Sequence, residues 1–102
     1  AVSYGNLGVI YRSLGRPSMA LFYHNRSLGI YRKSFSGSHP QLAAILTNIG
    51  LIYEDTAQYA RALALYQRAV KIYRDSLLTS HPHLLKTQQF VQRVSTKLQE
   101  NT

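Results

Sequence analysis

Residues 6–11, Asn-Leu-Gly-Val-Ile-Tyr, return 42 positions later as Asn-Ile-Gly-Leu-Ile-Tyr at residues 48–53. The segment Ser-His-Pro-Gln-Leu at 38–42 likewise returns as Ser-His-Pro-His-Leu at 80–84. Aligned without a gap, residues 1–42 and 43–84 are identical at 16 of 42 positions. A fixed period of this length is typical of proteins built from stacked copies of one supersecondary unit.

Each copy is predicted to contain two helices. Small and apolar residues in its first half recur at i, i+3, i+4 and i+7, which is the spacing of one helical face. Gly15 breaks the first copy before Pro17, and the prolines at 17, 40 and 82 suit the first turn of a helix. Gly8 and Gly50 inside the first helices predict a close approach of two helices, with Ala20 and Ala62 opposite them. The predicted helices span residues 1–14, 17–35, 40–56, 59–77 and 82–99.

This pattern predicts an all-α solenoid of two helix-turn-helix repeats followed by a C-terminal capping helix. The predicted boundaries are 1–42 for the first repeat, 43–84 for the second and 85–102 for the cap. The last unit keeps an apolar stripe but carries polar residues on its other side, as a capping helix requires. Residue 1 falls on the first position of a repeat, which predicts a C-terminal fragment of a longer array.

Composition excludes several other classes of protein. The 102 residues contain no cysteine, so a disulfide scaffold, a thiolate metal site and a cysteine nucleophile are ruled out. The four carboxylates form no catalytic pair at a recognisable spacing, and no phosphate-binding glycine loop is present. We therefore predict a protein that is not an enzyme and takes no cofactor or metal. We also predict a cytoplasmic location without membrane insertion.

The repeated residues resemble a known family. Asn-Leu-Gly-x-x-Tyr at 6–11 with Ala20, and Asn-Ile-Gly-x-x-Tyr at 48–53 with Ala62 and Ala69, follow the tetratricopeptide pattern. The 42-residue period, with His-Pro opening the next unit, resembles the kinesin light chain variety of that repeat. His24 and Ser27 depart from the pattern, because the family prefers an aromatic residue and alanine there.

The resemblance implies a protein-interaction module that binds an extended or helical peptide in a concave groove formed by the first helices. It also implies that Asn6 and Asn48 face this groove and hydrogen-bond a peptide backbone. The alternative for both asparagines is a bond to a neighbouring loop or to water inside the array. The predicted groove residues are Asn6, Val9, Arg12, Ser13, Asn48, Leu51, Glu54, Asp55, Gln89 and Arg93. Two of these, Glu54 and Asp55, predict a negative patch midway along the groove.

The charge balance points to an acidic or anionic partner. Lys and Arg number 12 against four acidic residues, which gives a net charge of +8. Within residues 1–42 there are five basic residues and no acidic one. An acidic peptide is the favoured partner; RNA or another anionic surface, and a purely structural spacer, are the alternatives. A basic ridge on the convex side is predicted to contain Arg26, Arg32, Arg68, Lys71 and Arg74.

The first helix predicts a further contact. Val2, Leu7, Ile10 and Leu14 include the face that a neighbouring repeat would cover, and Gly5 and Gly8 make this helix intrinsically weak. We therefore predict that the helix is poorly ordered or is stabilised by self-association through a symmetric patch.

Overall fold

The computed structural model describes residues 3–34, 39–76 and 81–100, and in that part of the chain it contains five helices and no strand. The predicted all-α solenoid is confirmed. None of the described helices is both long enough and apolar enough to cross a membrane. The helices are α1 (Tyr4–Ser13), α2 (Pro17–Ser34), α3 (Pro40–Asp55), α4 (Tyr59–Ser76) and α5 (Pro82–Glu100).

The helix ends agree with the signals in the sequence. Helices α2, α3 and α5 each begin at the predicted proline. The Nδ1 atom of His39 accepts a hydrogen bond from the Gln41 backbone N–H at 3.2 Å, so this histidine caps α3. Both hairpin turns contain a left-handed residue, Gly15 at φ 72° and Ala57 at φ 60°, which lie 42 positions apart. Val2 and the serines at 38 and 80 lie outside the described residues.

The helices form two antiparallel hairpins, α1–α2 and α3–α4, with α5 packed on α4. Helix α2 packs on α3, and this contact joins the two hairpins. The main core lies at that junction and continues into the second hairpin, where ten of its eleven buried members are supplied by α3, α4 and α5. A second cluster of Ala62, Tyr66 and Val94 holds α5 against α4. Packing of α5 on the second hairpin is the arrangement predicted for a capping helix.

The two glycines inside α1 and α3 mark the closest approaches within the hairpins. A Cβ atom on Gly50 would lie 2.6 Å from Cε1 of Tyr66, and one on Gly8 would lie 2.5 Å from Nε2 of His24. The sequence correctly predicted a close approach at both glycines. The sequence placed Ala20 opposite Gly8 and Ala62 opposite Gly50, whereas the nearest side chains are His24 and Tyr66, each one helical turn further along its helix.

Candidate functional site

Two cavities lie on either side of α3, and they are the same feature repeated at the 42-residue period. The cavity toward α5 has a volume of about 220 Å³, and the cavity toward α1 and α2 has a volume of about 500 Å³. Six residues in the wall of the larger cavity have their equivalents, 42 positions later, in the wall of the smaller cavity. These pairs are Gly5 and Thr47, Tyr31 and Tyr73, Gln41 and His83, Ala44 and Lys86, Ile45 and Thr87, and Asn48 and Phe90.

Asn48 and Ala44 belong to the walls of both cavities. Asn48 is half-buried, and its side chain makes no hydrogen bond with any other described residue. The equivalent residue Asn6 lies exposed on α1. A half-buried amide between two cavities presents one acceptor and two donors to a ligand. Asn48 therefore remains a predicted ligand-binding residue.

The predicted negative patch is absent, because an arginine from another helix neutralises each carboxylate. Arg12 of α1 donates from Nε to Asp55 Oδ2 at 2.6 Å and from Nη2 to Oδ1 at 3.1 Å. Arg93 of α5 donates from Nε to Glu54 Oε2 at 2.6 Å and from Nη2 to Oε1 at 2.8 Å. The two bidentate pairs connect α3 to α1 and to α5. The prediction of a negative patch was therefore wrong.

The Glu54–Arg93 pair is part of a larger cluster beside the smaller cavity. The Tyr66 hydroxyl donates to Glu54 Oε1 at 2.9 Å, and burial together with this bond raises the pKa of Tyr66. The Arg93 guanidinium lies 4.6 Å from the centroid of the Phe90 ring, whose centroid is 5.4 Å from that of Tyr66. Phe90 belongs both to this cluster and to the wall of the smaller cavity.

Apart from Asn48 and Leu51, the predicted groove residues lie outside the two cavities. Leu51 lines the smaller cavity beside Asn48. Val9 and Ser13 are exposed on α1, and Gln89 is exposed on α5. Sequence reasoning did not select the residues that line the α5 side of the smaller cavity, which are His83, Lys86, Thr87 and Phe90.

The residues predicted for the basic ridge are all exposed on α2 and α4, the second helices of the two hairpins. Arg74 borders a third cavity of about 300 Å³ between α4 and α5, together with Gln67 and Gln88. Across residues 3–34, 39–76 and 81–100, no three His, Asp or Glu side chains come together as potential metal ligands.

His24 predicts a pH dependence of stability. This buried histidine faces Gly8, and burial together with the positive charge of Arg12 lowers its pKa below the ordinary value. The unfolded chain takes up the proton near pH 6.5, whereas the folded chain resists it until lower pH. The contribution of His24 to the free energy of unfolding is therefore fully present above about pH 6.5, and it decreases as the pH falls below that value.

We expect the free energy of unfolding, measured by urea titration between pH 7.5 and 5.5, to decrease toward pH 5.5. The slope contributed by one proton cannot exceed about 1.4 kcal/mol per pH unit. His24→Tyr, which copies Tyr66 at the equivalent position, should flatten this part of the profile. An unchanged pH profile in His24→Tyr would contradict the assignment to His24.

Comparison with known families agrees with the repeat and the fold. The family model for the tetratricopeptide repeat matches residues 1–75. The chain belongs to the tetratricopeptide repeat family. Repeats of this family generally mediate protein–protein interactions and act as non-catalytic scaffolds. A search of curated proteins gave no match to this chain.

Proposed function

We propose that this chain is a protein-interaction module that binds an acidic peptide across α3, with Asn48 at the centre of the site. The observation that carries the proposal is the repeated pair of cavities that share Ala44 and Asn48. A peptide lying along this surface can place one side chain in each cavity, while its backbone bonds to the Asn48 amide between them. The 42-residue period supports the kinesin-light-chain-like variety of repeat.

Charge supports the acidic character of the peptide. Lys86 is exposed at the rim of the smaller cavity and has no ion-pair partner among the described residues. Glu54 is engaged by Arg93 and Asp55 by Arg12, so neither adds an unpaired negative charge beside the groove. Two cavities bury a small area of peptide, and we expect dissociation constants in the micromolar range or weaker.

Asn48→Ala is expected to weaken binding of an acidic peptide by about tenfold, since about 1.4 kcal/mol corresponds to a factor of ten. Fluorescence anisotropy with a panel of labelled Asp- and Glu-rich dodecapeptides measures this affinity. Asn25→Ala is the matched control, because it removes the same amide from an exposed position on α2. If both variants bound the peptide as tightly as the unaltered chain, peptide binding in the groove beside Asn48 would be contradicted.

RNA binding through the basic ridge is the second candidate function. The exposed arginines of α2 and α4 support it, because Arg26 and Arg68, and Arg32 and Arg74, are paired by the 42-residue period. Attraction of this kind acts on phosphates and weakens steeply with salt. The same assay with a labelled single-stranded RNA, at low and physiological salt, compares the two candidates. RNA binding that persists at physiological salt would favour RNA binding over peptide binding as the function of this chain.

A further inference from the structure

His83 is a titratable side chain in the wall of the smaller cavity. It is the second residue of α5 and is exposed, and it shares this wall with Asn48 of α3 and Lys86 of α5. The equivalent residue in the wall of the larger cavity is Gln41, whose amide does not titrate. Among the described residues that line the two cavities, His83 is the only histidine. The two cavities therefore differ in how their charge responds to pH.

Two neighbouring rings hold the His83 ring in this wall. The ring stacks on the buried Tyr73 of α4, with centroids 5.9 Å apart and 16° between the planes. The His81 ring lies 5.2 Å away, with 26° between the planes. The His83 side chain makes no hydrogen bond with another described residue. Both of its nitrogens are therefore available to a ligand, and in the protonated ring both are donors.

His81, which stacks on His83, has a different role. Its Nδ1 atom accepts a hydrogen bond from the His83 backbone N–H at 3.2 Å, in the first turn of α5. His39 makes the equivalent bond with Gln41 at the start of α3. A proton on Nδ1 of His81 would remove this acceptor and break the bond. A proton on the His83 ring breaks no such bond, so His83 is the member of the pair that is suited to take up a proton.

Lys86 is the charged side chain that shares the cavity wall with His83. The residues that α3 and α4 contribute to this wall are uncharged at neutral pH; they are Ala44, Thr47, Asn48, Leu51 and Tyr73. No carboxylate is among the described residues of the wall. A proton on His83 therefore adds a positive charge beside Lys86, and the two like charges repel each other. An anionic group bound in the cavity would offset this repulsion.

We propose that His83 makes peptide binding in the groove dependent on pH, with tighter binding of an acidic peptide as the pH falls. The inference rests on the proposed function, because it requires an acidic side chain of the peptide in the smaller cavity. Histidine is the side chain whose charge ordinarily changes between pH 5 and 8. A bound carboxylate favours the protonated ring, and by linkage the protonated ring favours the bound carboxylate by the same factor.

The test compares the dissociation constant of a labelled Asp- and Glu-rich dodecapeptide at pH 7.5 and at pH 5.5. The peptide is acetylated and amidated, so its side chains are the only carboxylates, and more than about nine-tenths of them stay ionised at both pH values. We measure fluorescence anisotropy with the full 102-residue chain at constant ionic strength. The dissociation constant should fall by about three- to fivefold from pH 7.5 to pH 5.5, as for one added charge near a partly exposed partner.

Two histidine variants assign the effect. His83→Gln copies Gln41, and in this variant the ratio of the dissociation constants at the two pH values should decrease to about one. His81→Asn is the matched control, because asparagine keeps an acceptor suited to a helix start and His83 is retained. This control should keep the ratio of the unaltered chain. Circular dichroism at both pH values verifies that each protein remains folded.

Asn48→Ala, measured at the same two pH values, separates this proposal from the proposed function. It should bind the peptide more weakly at both values and keep the ratio. Binding that depends on Asn48 but has equal dissociation constants at the two pH values would retain the groove and overturn the role of His83. A pH dependence that persists in His83→Gln would assign the effect to another group, and one lost in His81→Asn would assign it to His81. Absence of peptide binding at both pH values would contradict both proposals.

Discussion

Tyr66→Ala is expected to lower the free energy of unfolding by about 3–5 kcal/mol, as for other large aromatic residues removed from a core. Tyr66 is fully buried, packs with Ala62 and Val94, and joins α4 to α5. A domain of this size has a total stability of about 5–15 kcal/mol, so the variant should lose a large part of it. Equilibrium urea unfolding followed by circular dichroism measures the change.

Tyr66→Phe is the control, because it keeps the ring and removes only the hydroxyl that donates to Glu54. We expect a loss of about 0.5–1.5 kcal/mol for that single hydrogen bond. A loss below about 1 kcal/mol in Tyr66→Ala would show that the ring does not hold α5 against the second hairpin.

Gly50→Ala should destabilise the protein by about 1–2 kcal/mol, although alanine is the better helix former by about 1 kcal/mol. The added methyl group would lie 2.6 Å from Cε1 and 3.0 Å from Cδ1 of a ring that has no free space. Gly29→Ala is the matched control, because no atom lies within 4 Å of a Cβ placed at that helical glycine. We expect Gly29→Ala to stabilise the protein by up to about 1 kcal/mol.

The double variant Gly50→Ala, Tyr66→Ala isolates the cause of this effect. Once the ring is absent, the methyl group has room, and Gly50→Ala should become neutral or stabilising in that background. Differences are obtained from urea midpoints of the four proteins in the cycle. A destabilising effect of Gly50→Ala that is equal in both backgrounds would contradict the steric explanation.

The fold could be predicted because its signals lie in the local sequence. The 42-residue period predicted the two hairpins. The prolines at 17, 40 and 82 are the first residues of three helices, as predicted. The residue opposite Gly8 was predicted to be Ala20, whereas it is His24, one helical turn further along α2. Helical periodicity identifies a face of α2, but it does not establish which turn of that face lies opposite a given residue of α1.

The candidate site was predictable only in part. Asn48 and Leu51 followed from the repeated motif and line the smaller cavity. Gln89 was assigned to the groove from the family resemblance, whereas a strict shift of 42 from Asn48 gives Phe90, which lines the cavity. The pairing of Glu54 with Arg93 joins residues 39 apart, and the sequence carries no signal for it. Such pairs depend on how far long side chains reach between helices.

Amide chemical shifts of the isotopically labelled chain, recorded by two-dimensional NMR during titration with an acidic peptide, test the central claim most directly. This measurement locates the bound peptide without altering the protein. We predict that the largest changes fall on the walls of the two cavities beside α3, at residues such as Thr47, Asn48 and Lys86. Amide shift changes confined to Arg68, Lys71 and Arg74 of α4, with none along α3, would contradict a peptide-binding groove.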